Sequence, residues 1–226
     1  MSDAVVVEPQ GPADSAVIWL HGLGASGHDF EPAVPLLGLS QSTRFIFPHA
    51  PEIPVTVNGG MVMPAWYDIE HMDIERTIDV AGIQASADIV DQWVQSQLDA
   101  GISASRIFLV GFSQGGAVAL YAGVRSKKTL GGVLALSTYW VGEQDPNLRP
   151  GRTPAELPIE IHHGQFDPVV PFALGEQAKA SLEALGYSVT FQAYPMEHNV
   201  VPEQLRAIGH WMASHLNSDF PTRSKE

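Results

Sequence analysis

Ser113 lies in the stretch GFSQGG, residues 111–116, after the apolar run RIFLV and before the small-residue pattern AVALYAG. Each glycine costs conformational entropy on folding, so three of them around one serine need a reason. In the pattern G-x-S-x-G the serine occupies a sharp strand-to-helix turn, with a strained backbone that lifts its hydroxyl clear of the sheet. Side chains two residues to either side would collide there, which accounts for Gly111 and Gly115, while Gly116 lets the helix approach the sheet. The same residues could build a plain turn, and the rest of the chain decides between the two. A serine hydroxyl is a weak nucleophile near neutral pH and needs a histidine to take its proton, oriented in turn by a carboxylate. On such a turn the partners follow in the order Ser, then Asp or Glu, then His. Downstream, IEIHHGQFDPVV puts Asp167 just past one apolar run and VTFQAYPMEHNVVP puts His198 just past the next. Alone, Asp167 before Pro168 reads as a turn residue and His198 as a loop histidine. Together their order and positions match a triad of Ser113, His198 and Asp167.

Charge that develops on a substrate carbonyl needs preorganised donors, and backbone N–H groups usually supply them. One is expected from Gln114, the residue after the nucleophile. The other is expected from HGLGASGHDF, residues 21–30, a glycine-rich turn that follows the apolar run AVIWL and presents the Leu23 N–H. The remaining titratable groups suggest less. His162 and His163 are adjacent on an expected strand, so they point to opposite faces and do not share a metal. Asp68, Glu70, His71, Asp73 and Glu75 read as a solvated acidic run. No zinc signature is present.

These residues need a scaffold that brings distant loops to one edge. Seven short apolar runs, AVVV, AVIWL, RFIF, RIFLV, GGVLAL, IEIHH and VTFQAY, alternate with helix-like segments, which predicts an α/β fold with a mostly parallel, buried sheet. From about Ile78 to Ala100, Ile83, Ala87, Val90, Val94 and Leu98 recur three or four apart and Gly101 closes the segment, so a helix is expected there. Further helices are expected after Ser113, from about Phe172 to Leu185, and from about Pro202 to Leu216. Two long connections stand out, Pro48 to Asp68 and Thr138 to Pro158, the second carrying Pro146, Pro150, Pro154 and Pro158. The first holds Val57, Met61, Met63, Trp66 and Tyr67, too apolar to be left in water, so it is expected to fold over either the core or a ligand. The tail from Ser218 onward reads as a frayed terminus.

The chain has 226 residues, a length that one large α/β domain spanning 1–226 can occupy. No apolar run approaches the roughly 20 residues of a membrane-spanning helix. The N-terminus lacks the basic and apolar regions of a secretory signal, and there is no cysteine, so a cytoplasmic location is expected. The net charge is −13 without a cluster of basic residues beyond Lys127 and Lys128, which excludes nucleic acid and anionic membrane surfaces as partners.

The ordered set HGLG, GMVMPAWYDI, GFSQGGA, HGQFDPVVP and YPMEH resembles the small bacterial carboxylesterases related to acyl-protein thioesterases, within the α/β-hydrolase fold, from about Ala16 to Leu216. The resemblance implies Ser113, Asp167 and His198 as the triad and Leu23 and Gln114 as oxyanion donors. It also implies an acyl channel walled in part by Met63 and Trp66 as substrate-binding residues, with no metal or organic cofactor. No large lid domain is expected, because only about twenty residues follow GGVLAL before the next strand. The implied activity is a serine carboxylesterase that acts on short to medium acyl esters. The same chemistry on palmitoylated protein or on lysophospholipid stays open, as does a non-catalytic ligand-binding domain on the same fold, which would be expected to lack a triad member. Partners are then a small ester or an acyl-thioester, and enzymes of this kind can form homodimers. Three residues depart from the family pattern. Ser26 stands where aspartate is common, Val62 where a basic residue is frequent, and Glu197 where glycine is usual. The carboxylate of Glu197 is expected to favour the charged form of His198.

Overall fold

The computed structural model describes residues 3–39, 42–70, 79–151 and 156–218. Runs of β-branched and aromatic residues suit a pleated surface buried on both faces, and all seven expected runs form strands of one sheet. These are β1 (Ala4–Val7), β2 (Ser15–Leu20), β3 (Thr43–Pro48), β6 (Ile107–Phe112), β7 (Gly132–Leu136), β8 (Ile159–Gly164) and β9 (Val189–Tyr194), in the order β1-β3-β2-β6-β7-β8-β9. Only β1 runs antiparallel, with Val5 opposite Phe47, and the other six strands are parallel. From β2 the chain moves outward to β3, and from β6 it moves the other way to β7. The carboxyl ends of β2 and β6 therefore flank the point where the winding reverses, which is where open α/β sheets bind ligands.

Alternation along the strands divides the core into two layers. Ala16, Ile18 and Leu20 face α2 (Val80–Asp99), α3 (Gln114–Arg125) and α4 (Phe172–Ala184). Val17, Trp19, Phe108 and Val110 face α1 (Val34–Leu37) and α5 (Pro202–Ser218). α2 begins where the Asp79 carboxylate accepts the Gly82 N–H at 2.9 Å, and it buries the expected stripe of Ile83, Ala87, Val90 and Val94. Ile78, the expected start, lies outside the described residues. Gly101 and Gly186 follow α2 and α4 in left-handed conformations, the usual helix stop.

The connection from Pro48 to Asp68 is more ordered than a loop. It forms an antiparallel hairpin of β4 (Glu52–Val55) and β5 (Met61–Pro64) around a 3-10 turn at Thr56–Asn58. Asp68 is half-buried at its base rather than solvated, because its carboxylate accepts the Thr56 N–H at 2.7 Å and the Thr56 hydroxyl at 2.5 Å. Those bonds hold its carboxyl below the usual range. Glu70 is exposed, whereas His71, Asp73 and Glu75 lie outside the described residues, as do Pro154 and the tail after Ser218. In the second long connection, Tyr121 donates to the buried Asp145 carboxylate at 2.5 Å and Gln84 donates to the same oxygen at 2.9 Å. This ties the connection to α3 and α2.

Two buried phenols make the fold sensitive to alkali. Burial, reinforced by the Asp145 charge, pushes Tyr121 up to about 12; burial, with the charges of Glu160 and Glu203, does the same to Tyr194. An unfolded tyrosine loses its proton near 10.0, so across that window the unfolded chain binds fewer protons and stability falls as pH rises. Tyr187, raised by burial alone, adds the same sign. Urea midpoints compared at about pH 9 and about pH 11 should drop less in a Tyr121→Phe, Tyr194→Phe double variant than in the wild type.

Candidate active site

Ser113 terminates β6 and precedes α3 with φ 54° and ψ −120°, a backbone conformation that L side chains rarely adopt. The space around it admits no larger neighbours. A Cβ on Gly111 would strike the Gly115 carbonyl, and one on Gly115 would lie 2.5 Å from the His21 carbonyl and 2.6 Å from that of Leu20. Backbone bonds fix the turn from both sides. The Ser113 N–H donates to the Leu136 carbonyl of β7 at 2.8 Å, while the Ser113 carbonyl accepts the Thr138 hydroxyl at 2.6 Å and the Gly116 N–H at 3.0 Å.

Loops after β6, β8 and β9 converge on this turn. His198 Nε2 lies 3.0 Å from Ser113 Oγ, and His198 Nδ1 lies 2.7 Å from Asp167 Oδ2. The Asp167 side chain is fully buried; its other oxygen accepts the N–H groups of Val169 at 2.9 Å and Val170 at 2.8 Å. With the carboxylate acting only as acceptor, Nδ1 of His198 carries the hydrogen and Nε2 is left to accept the serine proton. Glu197 is exposed, so the carboxylate bonded to His198 is that of Asp167 and not its sequence neighbour. His163, also buried, donates from Nε2 to the Val170 carbonyl at 2.8 Å, and that nitrogen lies 3.8 Å from Asp167 Oδ2. Burial lowers its pKa, which keeps it neutral.

Leu23 and Gln114 reach the same cavity, about 300 Å³, together with Ser113, His198, Ile69 and Tyr139. Gln114 is the first residue of α3, so its N–H has no partner within the helix and points out of the positive end of the helix dipole. Leu23 sits in the turn after β2. His21 anchors that turn: its Nε2 accepts the Ala50 N–H at 3.1 Å, which leaves Nδ1 to donate to the Gly22 carbonyl at 2.7 Å. Burial lowers the pKa of His21 and favours this neutral tautomer. Met63 is half-buried on β5, beside Gly24, and is not among the residues that line the cavity. Trp66 is not among the residues that line the cavity. It is 1% exposed and sealed among His21, Gln114 and Ser86, with its indole N–H donated to the His21 carbonyl at 2.8 Å. The residues missed from sequence are Thr138 and His163, together with the side chains of His21 and Gln114. The adjacency of His163 to the Asp167 loop was the available signal for one of them.

A strand-ordered sheet with a strained serine at its switch point, hydrogen-bonded to a histidine, defines an α/β hydrolase of the serine class. Residues 1–216 match the phospholipase/carboxylesterase family, and the chain belongs to it. It is 40% identical over 216 residues to acyl-protein thioesterase 1 of Neurospora crassa, covering 89% of this chain and 87% of that protein. Among solved structures it is similar to Zea mays acyl-protein thioesterase 2, with 28% identity, a TM-score of 0.86 and coverage of 96% and 100%. It is also similar to Arabidopsis thaliana SOBER1, with 30% identity, a TM-score of 0.82 and coverage of 89% and 99%. These relatives are eukaryotic, unlike the bacterial enzymes that the motifs resemble.

The close approach at Gly115 is open to test. Gly115→Ala should cost about 1–3 kcal/mol by overpacking against backbone. It should also lower kcat, because the strand end being pushed leads into the Leu23 turn. Wild-type melting temperature and turnover would show that the contact has room to give.

Proposed function

We propose that the chain hydrolyses carboxylic esters of short to medium acyl length through Ser113, His198 and Asp167. The supporting observation is the continuous relay from Ser113 Oγ to His198 at 3.0 Å and on to Asp167 at 2.7 Å, opening into an apolar cavity. In this mechanism Ser113 Oγ attacks the acyl carbonyl while His198 Nε2 takes its proton. The N–H groups of Leu23 and Gln114 receive the oxyanion. Collapse of the adduct breaks the bond to the alcohol oxygen, which leaves with the proton from His198. Water, deprotonated by the same nitrogen, then attacks the acyl-enzyme; the bond from the acyl carbon to Ser113 Oγ breaks, Oγ takes the proton back from His198, and the acid leaves. Asp167 keeps the imidazole in the required tautomer and stabilises the imidazolium. Both steps balance without a metal or organic cofactor, and we take residues 1–226 as one catalytic unit.

The cavity volume of about 300 Å³ lies at the small end of ligand pockets, in favour of a short or medium acyl chain. The name of the Neurospora crassa relative favours a second substrate, an S-acylated protein, for which a thiol replaces the alcohol as leaving group. A lysophospholipid would present the same ester chemistry.

Ser113→Ala should abolish turnover and labelling by an organophosphonate, and Asp167→Asn should lower kcat on the order of 10⁴-fold. Unreduced turnover in Ser113→Ala would sink the mechanism. A chain-length series of nitrophenyl esters, run beside an S-palmitoylated peptide, should give the highest kcat/KM on short or medium esters. A higher value on the peptide would assign the chain to protein thioesters instead.

A further inference from the structure

Three residues at the base of the β4–β5 hairpin, Pro64, Trp66 and Tyr67, bind both segments that carry the proposed oxyanion donors. Pro64 accepts the Gly24 N–H at 2.8 Å. The Trp66 indole N–H donates to the His21 carbonyl at 2.8 Å. The Trp66 backbone N–H donates to Gln114 Oε1 at 2.8 Å, and Gln114 Nε2 donates to the Tyr67 carbonyl at 2.7 Å. The Gln114 amide thus pairs with the hairpin base on both of its polar atoms, as one strand pairs with another. The Trp66 carbonyl is held in turn by the Ser86 hydroxyl of α2. Gln114 and Trp66 are each 1% exposed, so these bonds are shielded from water and costly to leave unmade.

We infer that Trp66 is a positioning residue that sets both oxyanion donors at once, Leu23 through His21 and Gln114 through its side-chain amide. The inference rests on the assignment of Leu23 and Gln114 as donors. An oxyanion hole acts only if its N–H groups already point at the place where charge develops. Leu23 lies in a glycine-rich turn between His21 and Gly24, both of which are tied to the hairpin base. Gln114 is a first-turn helix residue whose side chain is tied to the same base. A slackened brace therefore costs transition-state stabilisation rather than substrate affinity.

Trp66→Phe keeps an aromatic ring and removes the indole donor together with part of the buried volume. A benzothienyl-alanine at position 66, closer still in shape and lacking the N–H, guards against a folding defect in the phenylalanine variant. Gln114→Met keeps the backbone donor and removes the amide clamp. With concentrations fixed by phosphonate titration of Ser113, each is expected to lower kcat on a nitrophenyl ester about tenfold or more and to leave KM within about twofold. Affinity for a trifluoromethyl ketone, whose serine adduct carries the oxyanion, should fall in step with kcat, while inhibition by an alkyl alcohol stays as in the wild type. Wild-type kcat and ketone affinity in the position-66 variants would overturn the inference. So would a raised KM at unchanged kcat, which would put Trp66 against the substrate. Replacement of the Leu23 or Gln114 backbone amide by an ester removes the N–H itself. If that substitution leaves kcat unchanged, the donor assignment fails; if it lowers kcat while the position-66 variants do not, only the brace fails.

Discussion

The structure depends most on the backbone of Ser113. Its φ of 54° and ψ of −120° place a non-glycine residue in a region that costs about 1–3 kcal/mol, so the surrounding chain must hold it there. It does so with bonds from β7, from Thr138 and from the first turn of α3. Each of those bonds needs backbone to approach within contact distance, and glycine is the one residue that permits it at 111 and 115. The neighbouring Ser137 repeats the pattern, with φ 47° and its N–H donated to the His162 carbonyl of β8. Strain at the edge of β7 is thus anchored to the strand whose following loop carries Asp167. The geometry of the serine and the register of three strands are one constraint.

A second consequence concerns charge. Among the described residues, Asp167 is buried with no lysine or arginine paired to it. A buried carboxylate is tolerated only when its lone pairs are filled. Here the donors are His198 Nδ1 and the N–H groups of Val169 and Val170. His163 supports the arrangement from below, neutral because burial lowers its pKa and bonded to the carbonyl of the same Val170. A charged group there would compete with His198 for Asp167. The neutral imidazole stiffens the loop without weakening the partner that His198 needs.

The sheet was legible because its signal is local: each strand is a short β-branched run bounded by turn residues, and all seven register as such. Ser113, Asp167 and His198, the proposed triad, were legible as a group because the fold ties their chain order to the ends of β6, β8 and β9. The hairpin was not, although Asn58-Gly59 between Val55 and Met61 is a recognisable turn signal. Its strands are only four residues long and each contains a proline, Pro54 and Pro64, which masks the alternation. Trp66 was placed in the channel wall by the family resemblance, and an aromatic in an apolar loop does not by itself distinguish that role from a buried one. Its burial follows from bonds to residues 45 and 48 positions away in sequence, which no periodicity encodes. Asp68 escaped for a similar reason, since a carboxylate in an acidic run looks solvated until its partner Thr56 is known.

That division of legibility has a functional counterpart. The proposed relay is built from strand ends whose positions are set by sheet register, so its residues leave a pattern in the sequence. The cavity around it is lined from connections instead: Leu23 after β2, Ile69 after the hairpin, Tyr139 after β7, and Val169 and Val170 after Asp167. Of these, Val169 and Val170 are tied to the relay by their own backbone N–H groups, whereas Ile69 and Tyr139 line the cavity from other connections. A change of size at Ile69 reshapes the cavity without removing a bond to the relay. Tyr139 carries a further restraint, because its hydroxyl is paired at 2.6 Å with that of buried Tyr67, the neighbour of Trp66 in the hairpin base. The cavity wall and the oxyanion brace therefore meet at one phenol pair. Acyl-chain preference can drift at Ile69 with little effect on chemistry, whereas at Tyr139 a change in cavity shape also unpairs a buried hydroxyl next to the brace.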